Sequence, residues 1–426
     1  MSRPTLLSLA SLMLLCSGAA QAQSVVASGG EFQVNTYTGG NQGFPDVATD
    51  GDGTFLLTWE SSPQDGSGFG IFGQLVTASG VPVGVEFPIN TTVARNQFDP
   101  RASFGPNGGF VVVWASEQAG NTFDIAAQRY DALGVAAGGE FQVNTTTAGD
   151  QNFPDVATAD NGNVLIVWEG NGDDNSFGGI NAQLYNDQGT AVGGEFLVNS
   201  TTAEEQNGVR VASTGDGFLV VWESLGIDGD GEAVMLQRLD AAGQPVGAET
   251  RVSTSISDDQ EDADVAVTAN GNYAVVWESD GQDGSDETVV AQVFAPNGAP
   301  IGGEIVLNTT IVGPQEDPIV TGLGEDSFFA TWYGPAPGSG DEVWGRLFDS
   351  TGFAVGAELL INTSSLDDQD RVSVAGDSRG RAIAAWRDFG KPDGDAAGAV
   401  GRILELAIFA DDFETGTTEA WALTSP

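Results

Sequence analysis

Seven tryptophans recur every 54 or 55 residues through nearly the whole chain, and this period constrains the fold more than any other feature. They are Trp59, Trp114, Trp168, Trp222, Trp277, Trp332 and Trp386. Glutamates and glutamines keep the same period, as Glu31, Glu86, Glu140, Glu195, Glu249, Glu304 and Glu358, and as Gln42, Gln97, Gln151, Gln206, Gln260, Gln315 and Gln369. Because every unit carries all three residue types, they predict packing and hydrogen bonding between units. A sugar-stacking role for the aromatic series is the alternative.

Each unit contains four segments of strand length, which residues 140–144, 154–157, 163–168 and 180–185 illustrate. The segments are rich in Val, Ile, Phe and Tyr and are separated by Gly, Asn and Asp turns. Seven units of four strands, without a helical period, predict an all-β, seven-bladed β-propeller with four-stranded antiparallel blades. Because each unit needs its neighbours, we expect one domain over residues 23–408.

The position at which the repeat begins predicts how the ring closes. The chain opens on the Glu-Phe strand at residues 31–35, which we expect to be the outermost strand of a blade. That strand would then complete the last blade, beside strands near residues 372–375, 381–386 and 400–406. Closure of this kind removes the exposed sheet edges that promote aggregation.

Two terminal segments fall outside the repeat. Residues 1–22 combine an apolar run at 6–15 with a small-x-small cleavage signal at 20–22, which predicts a secretory signal peptide. The product is therefore expected to be secreted and to reside outside the cell, on its surface or in the periplasm. Residues 409–426 form a C-terminal tail, either a sorting tag or the start of a further domain. After the signal no apolar run is long enough for a membrane span.

The composition excludes several classes of function. The formal net charge is -46, from 60 acidic and 14 basic residues, so nucleic acid is a poor partner. Such a surface suits a protein that must stay in solution at high ionic strength. The chain has no histidine, and its single cysteine, Cys16, lies in the predicted signal peptide. This excludes zinc sites built on imidazole or thiolate, cysteine nucleophiles and histidine bases. We expect a monomer.

The repeat also resembles a known type. Gly-Glu-Phe-Gln-Val-Asn-Thr at 30–36, Phe-Pro-Asp-Val-Ala at 44–48 and Trp-Glu-Ser at 59–61 are its signatures. They resemble the Glu-Phe-x-Val-Asn-Thr and Val-Val-Trp-Glu-Ser repeats of large secreted bacterial proteins, many of which carry calcium-binding glycine-rich nonapeptides. The resemblance spans residues 29 to about 406 and implies the repeat type, without an activity. Because this chain lacks the nonapeptide pattern, the resemblance does not imply calcium binding here.

Acidic loops supply candidate metal ligands. The connection before the innermost strand of each blade and the connection after Trp should emerge on one face, where a site is expected. In the later units, carboxylates two or three residues apart on glycine-bent loops suit the hard oxygens that calcium requires. The candidate calcium ligands are Asp228, Asp230, Glu232, Asp280, Asp283 and Asp286. Further acids on these connections include Glu204, Glu205, Asp258, Asp259, Glu261, Asp262, Glu316, Asp317, Asp367, Asp368 and Asp370. Simple solvated loops are the alternative, since the full EF-hand spacing is missing.

Two classes of function remain. The first is a secreted, non-catalytic binding or surface-interaction module, with calcium bridging its acidic face to an extracellular polysaccharide or protein. The second is a carbohydrate-active enzyme, a hydrolase or a lyase, that uses carboxylates on the same face. Tyr333 and Arg387 belong to the second hypothesis, because they replace the glutamate that usually follows Trp and a unique site would interrupt the repeat. No unique catalytic pair emerges from the repeated acids, and calcium is the only cofactor considered.

Overall fold

The computed structural model describes residues 22–409 with the exception of 172–177, 228, 283, 285, 312, 337–339, 364–366, 391–393 and 395. These residues form 28 strands in seven four-stranded antiparallel sheets. The predicted all-β, seven-bladed propeller is therefore confirmed. Over the described ranges, no helix has the length and apolarity to cross a membrane. The predicted signal peptide up to residue 21 and the tail from residue 410 lie outside the described residues.

Within each blade the strands run from the centre outward. The innermost strands contact those of neighbouring blades. They are β2 (Asn41–Thr49), β6 (Gln97–Phe104), β10 (Gln151–Thr158), β14 (Gln206–Ser213), β18 (Gln260–Val267), β22 (Glu316–Leu323) and β26 (Gln369–Gly376). The second strands are β3 (Thr54–Ser62), β7 (Phe110–Glu117), β11 (Val164–Gly170), β15 (Gly217–Leu225), β19 (Tyr273–Asp280), β23 (Ser327–Pro335) and β27 (Arg381–Asp388).

The third and fourth strands build the outer half of each blade. The third strands are β4 (Gly70–Thr77), β8 (Phe123–Tyr130), β12 (Gly179–Tyr185), β16 (Glu232–Asp240), β20 (Glu287–Phe294), β24 (Asp341–Asp349) and β28 (Gly398–Phe409). The outermost strands are β5 (Pro82–Pro88), β9 (Phe141–Gln142), β13 (Ala191–Leu197), β17 (Thr250–Arg251), β21 (Pro300–Val306), β25 (Ala354–Leu360) and β1 (Ala22–Gln33).

The seventh blade joins the two ends of the described chain. Its sheet order is β1-β28-β27-β26, so the first strand of the chain is its outermost strand. Strand β1 pairs antiparallel with β28, from Ala22 opposite Phe409 to Gln33 opposite Val400. The predicted closure by the N-terminal strand is confirmed, and β28 is paired along both of its edges.

The core consists of seven apolar clusters, each of which joins two neighbouring blades. Between the first two blades, Leu56 and Ile71 pack with Val112 and Trp114. All seven recurrent tryptophans are at most 1% exposed. An aromatic side chain of this size buries about 150–250 Å², which corresponds to an upper estimate of about 4–6 kcal/mol. The tryptophans therefore hold the blades together, as the repeat predicts, and are too buried to stack on a sugar.

The recurrent glutamates hydrogen-bond one blade to the next. The carboxylate oxygen Oε2 of Glu140 accepts bonds from the Thr91 amide at 2.6 Å, the Thr91 hydroxyl at 2.7 Å and the Thr92 amide at 3.0 Å. Equivalent contacts occur at all the other blade junctions, including the one between Glu31 and Thr363 that closes the ring. We call these the outer glutamates. They carry out the inter-blade bonding that their repetition predicts.

Six of the recurrent glutamines donate to carbonyls of the loop before their innermost strand, whereas Gln151 accepts from the indole of Trp168. In the fourth blade, Gln206 Oε1 accepts from Asn199 Nδ2 at 2.9 Å, and Gln206 Nε2 donates to the Ala203 carbonyl at 3.0 Å. Asn199 Oδ1 in turn accepts from the amide of Ile180 at 2.8 Å. Since these groups are buried, leaving them without partners would destabilise the fold by about 1–3 kcal/mol each. The position of the loops at the ends of the innermost strands is thereby fixed.

Candidate functional site

Each innermost strand carries a β-bulge two residues after the recurrent glutamine. The residue at the bulge has a left-handed backbone, with φ between 47° and 59° in all seven blades. These residues, which we call the mouth ring, are Phe44, Asp99, Phe153, Gly208, Asp262, Asp317 and Arg371. The left-handed conformation disfavours side chains other than glycine by about 1–2 kcal/mol. Six blades nevertheless carry a larger residue there.

The mouth ring is the place where the repeat becomes non-repetitive. Residues from all seven innermost strands line a cavity of about 150 Å³ at the opening of the central channel. Because the strands are antiparallel, the start of β2 lies beside the end of β3, with Gln42 opposite Ser61. The loops before the innermost strands and after the second strands therefore share this end of the ring, which we call the mouth face. The sequence pattern of the acidic loops predicts a site on this mouth face.

A ring of alternating charges lies two residues further into the channel. Its members are Asp46, Arg101, Asp155, Arg210, Asp264, Ile319 and Ser373. The three aspartates accept bonds from amides of the next blade, at 2.9 Å from Ala102 and at 2.7 Å from both Val211 and Val320. Arg101 Nη1 lies 3.3 Å from Asp46 Oδ1. This channel ring joins the blades and places three aspartates and two arginines under the mouth.

A second set of glutamates supports the bulges from the neighbouring blade. These inner glutamates follow the recurrent Trp and are Glu60, Glu169, Glu223 and Glu278. Glu60 accepts the Asp99 amide at 2.9 Å, and Glu169 accepts the Gly208 amide at 2.7 Å. Burial raises the pKa of Glu60 to about 8 and that of Glu169 to about 7. Both carboxyls therefore take up protons far more readily than an exposed glutamate.

Three carboxyl groups converge between the fifth and sixth blades. Asp262, Glu278 and Asp317 each bring an oxygen atom within 4.8 Å of the other two. Glu278 is buried at the base of this acidic cluster and accepts the Asp317 amide, whereas Asp262 is exposed. Burial, reinforced by the negative charge of Asp262, raises the pKa of Glu278 well above its usual range. At neutral pH Glu278 therefore holds a proton beside two carboxyl neighbours.

Tyr333 and Arg371 border the acidic cluster. Arg371 Nη1 lies 3.2 Å from Asp317 Oδ2. Tyr333 lies opposite Glu316 in the pairing of β22 with β23, and its phenol is near the negative charge of Asp317. Burial, followed by the charges of those two acids, raises the pKa of Tyr333 above its usual range, so the phenol stays protonated. The cluster thus combines proton donors, carboxylates and a guanidinium at an open channel mouth.

Aromatic side chains cover the opposite side of the mouth. A cavity of about 390 Å³, which we call the aromatic pocket, is lined by Phe44, Phe69, Phe98, Phe153 and Phe389 together with Arg371, Arg387, Glu60 and Asp99. The guanidinium carbon of Arg387 lies 4.8 Å from the ring centre of Phe44 and 4.6 Å from that of Phe389. Arg387 is also held by Asp370 through two contacts, at 2.7 and 2.5 Å. Cation–π stacking and the ion pair together fix its position.

The four candidate calcium ligands within the described residues lie on the mouth face, outside the ring. Asp230 and Asp286 are exposed, whereas Glu232 and Asp280 are half-buried. Asp228 and Asp283 lie outside the described residues. In the part of the chain that the structure describes, the three acids close enough together to hold one ion are those of the acidic cluster. Calcium binding by the six candidates remains a prediction.

Sequence reasoning found some of these residues by the right signal. Tyr333 and Arg387 interrupt the glutamate column after Trp, and both lie at the mouth. Ala115 interrupts the same column and was missed. Asp262 and Asp317 were recognised only as members of acidic loops, while Phe44, Phe153 and Arg371 were not recognised at all. Aligning the units on the recurrent glutamine exposes them, because the column two residues later differs from blade to blade.

Comparison with known proteins gives a similarity in fold. No protein-family model matches the chain, and no curated protein matches its sequence. A solved protein of unknown function from Dyadobacter fermentans DSM 18053 is 12% identical with a TM-score of 0.53, covering 90% of this chain and 99% of that chain. The solved polysaccharide lyase Uly1 is 10% identical with a TM-score of 0.52, covering 89% of this chain and 90% of that chain. At these identities the fold is what is shared.

Proposed function

We propose that the protein is a secreted carbohydrate-active enzyme that cleaves polysaccharide at the mouth of the propeller. The observation that carries the proposal is the acidic cluster, in which protonated Glu278 lies with Asp262 and Asp317 beside Tyr333 and Arg371. Neighbouring carboxyls held in different protonation states can serve as acid and base in one site. A polysaccharide lyase among the proteins of similar fold adds support.

The cluster assigns a role to each group. Glu278 would hold the proton, and exposed Asp262 would meet the substrate and relay that proton to the glycosidic oxygen. Asp317, kept in place by Arg371, would act as the second carboxylate. One of its oxygens lies within 4.8 Å of an oxygen from each of the other two, so the three carboxyl groups can contact the same part of a bound substrate.

Turnover of polysaccharides by the purified protein tests the proposal. We expect one class of polysaccharide to be cleaved, with the rate reduced at least about a hundredfold in Asp262→Asn and Glu278→Gln. Glu204→Gln, an exposed acid on the same face, is the matched control and should retain activity. New reducing ends without new ultraviolet absorbance would identify hydrolysis, whereas an unsaturated product that absorbs in the ultraviolet would identify a lyase. Equal rates in all variants would contradict the assignment.

A non-catalytic, calcium-assisted binding module is the second candidate. Glu60 and Glu169 accept the same kind of backbone bond as Glu278 in blades without an acidic cluster, so the burial of Glu278 also has a structural role. In addition, like charges crowd the calcium candidates. Burial, then Glu287 and Asp259, raises the pKa of Asp280, and a bound cation would relieve this crowding.

Calorimetric titration of calcium into chelator-treated protein distinguishes the two candidates. Saturable binding that is lost in Asp230→Asn or Asp280→Asn, with polysaccharide binding but no cleavage, would favour the module. A melting curve at ionic strength matched with sodium chloride separates specific binding from screening. If the heats of calcium titration are no larger than those of sodium chloride titration, specific calcium binding is contradicted.

Export is proposed on the sequence of residues 1–22. The N-terminus of the protein recovered from the culture medium or periplasm should be Gln23 if cleavage follows Ala22. Recovery of the uncleaved chain from the cytoplasm would contradict secretion.

A further inference from the structure

Phe153 is the residue in the mouth that the fold explains least. Its side chain is 50% exposed, and its backbone is left-handed, with φ of 47°. An exposed aromatic ring is unfavourable in water, and a left-handed backbone is unfavourable for phenylalanine. The fourth blade has Gly208 at the same position, so the bulge itself does not require a side chain. The exposed ring of Phe153 is therefore available to contact a ligand.

The surroundings of Phe153 define the shape of that partner. The aromatic pocket encloses about 390 Å³, which falls within the range of roughly 300–1,000 Å³ for small-ligand sites. Phe44, Phe98 and Phe153 come from three successive innermost strands and line the pocket together. Flat aromatic surfaces of this kind bury the C–H face of a sugar ring, while the hydroxyl groups at its edge remain in contact with polar groups or water.

Arg371 defines the charge of the partner. Its side chain is 46% exposed, stands 5.0 Å from the ring centre of Phe44 and makes one contact with Asp317, at 3.2 Å. Arg387, by contrast, is fixed by two shorter contacts with Asp370. The planar guanidinium fork of arginine matches a carboxylate better than any other side chain does. Arg371 is therefore the cation that an anionic ligand can reach.

The pocket is locally suited to an anion although the whole chain is acidic. Two of the 14 basic residues line it. Glu60, which also lines it, holds its proton up to about pH 8, because burial raises its pKa. Asp99 is the remaining acid of the lining, and burial raises its pKa as well. Repulsion of an incoming carboxylate is thus smaller here than elsewhere on the mouth face.

We propose that the aromatic pocket binds a uronate residue of the polysaccharide, with the sugar ring stacked on Phe153 and its carboxylate paired with Arg371. The inference rests on the proposed function, because it names the substrate class of the same mouth. It places a uronate beside the acidic cluster, with Arg371 contacting both. Uncharged polysaccharides would lack the ion pair and would bind more weakly.

Ligand-detected NMR titration with methyl glycosides tests the charge requirement independently of linkage. The probes are methyl glucuronide and methyl galacturonide, each compared with the corresponding neutral glucoside or galactoside, in about 0.5 M sodium chloride to screen the net charge of -46. We expect at least one uronide to bind at least about tenfold more tightly than its neutral partner, the factor that a charge-assisted hydrogen bond supplies. Equal affinity within both pairs, or binding by neither uronide, would overturn the proposal.

Two substitutions locate the binding. Phe153→Gly should weaken the uronide at least about tenfold without lowering the melting temperature, because glycine relieves the left-handed backbone. Arg371→Gln should abolish the preference for the uronide over its neutral partner. Phe353→Ala and Arg379→Gln are the controls, since both residues are exposed and lie in hairpins at the opposite end of the ring. Unchanged uronide affinity in folded Phe153→Gly would contradict the proposed stacking. An unchanged preference for the uronide in Arg371→Gln would contradict the proposed ion pair.

The outcome is separable from that of the proposed function. Uronide binding without cleavage of any polysaccharide would sustain the pocket and reject the enzyme. Cleavage of a neutral polysaccharide with no uronide preference would sustain the enzyme and reject this inference.

Discussion

Glutamates at two positions of the repeat have pKa values that are shifted in opposite directions. Burial alone would raise the pKa of Glu140, an outer glutamate, but hydrogen bonds from Thr91 and Thr92 lower it. Glu60, an inner glutamate, is more deeply buried and accepts a bond from the Asp99 amide, so burial prevails and raises its pKa to about 8. The number of donors around each carboxylate decides the sign.

These shifts predict opposite dependences of stability on pH. Because its pKa is raised in the folded state, Glu60 contributes stability that is complete below about pH 4.5 and is lost as the pH rises towards 8. Glu140 contributes stability above pH 4.5 and loses it as the pH falls. Between pH 5 and 8, the free energy of unfolding of Glu60→Gln should therefore rise relative to that of the wild type, by up to about 1.4 kcal/mol per pH unit.

Denaturant unfolding at a series of pH values measures these contributions. Glu140→Gln serves as the counterpart, since it should be less stable than the wild type at pH 7 and approach it below pH 4.5. Parallel stability curves for the wild type and Glu60→Gln would show that the carboxyl of Glu60 titrates as it does in the unfolded chain.

Among the elements, strand β1 is the one whose loss should affect the stability of the whole ring. It supplies the outer edge of the seventh blade, and its Glu31 holds Thr363 of the sixth. Deleting residues 23–36 should unpair β28 and lower the melting temperature of the whole ring by several degrees, because a chain of this length loses about 1 °C for each kcal/mol of stability. Differential scanning calorimetry measures the change.

Complementation provides the control for that deletion. A synthetic peptide of residues 23–36 should restore the melting temperature when added in excess, because β1 pairs through backbone hydrogen bonds along one edge. An unchanged melting temperature in the deleted protein would show that the other six blades hold the ring without closure.

The strands were predictable from sequence because their signal is repeated seven times. Runs such as Val111-Val112-Val113-Trp114 are buried on both faces and could only be second strands between two blades. The bulge was not predictable in the same way, because its defining feature is a backbone angle. The residues at that angle range from Gly208 to Phe153, so residue type gives no consistent indication of it. The candidate site was therefore only partly visible, through the interruptions at Tyr333 and Arg387.

For the whole molecule, the net charge of -46 sets the response to salt. Mutual repulsion of the acids opposes the folded state, and the screening length falls from about 30 Å at 0.01 M to about 3 Å at 1 M salt. Raising sodium chloride over this range should raise the melting temperature. Choline chloride, whose large cation binds carboxylates poorly, should give the same rise if screening is the cause. A flat or falling curve would contradict the repulsion argument.

The mouth ring separates the variable residues of the innermost strands from the repeated residues that support the fold. Each blade imposes the left-handed angle on the residue at this position whatever its type, since Phe44, Gly208 and Arg371 all adopt it. Seven positions can therefore change one at a time while the hydrogen bonds and tryptophans beneath them stay the same. If the proposed site is correct, a change of ligand would require new residues at these seven positions and no change in the scaffold beneath them.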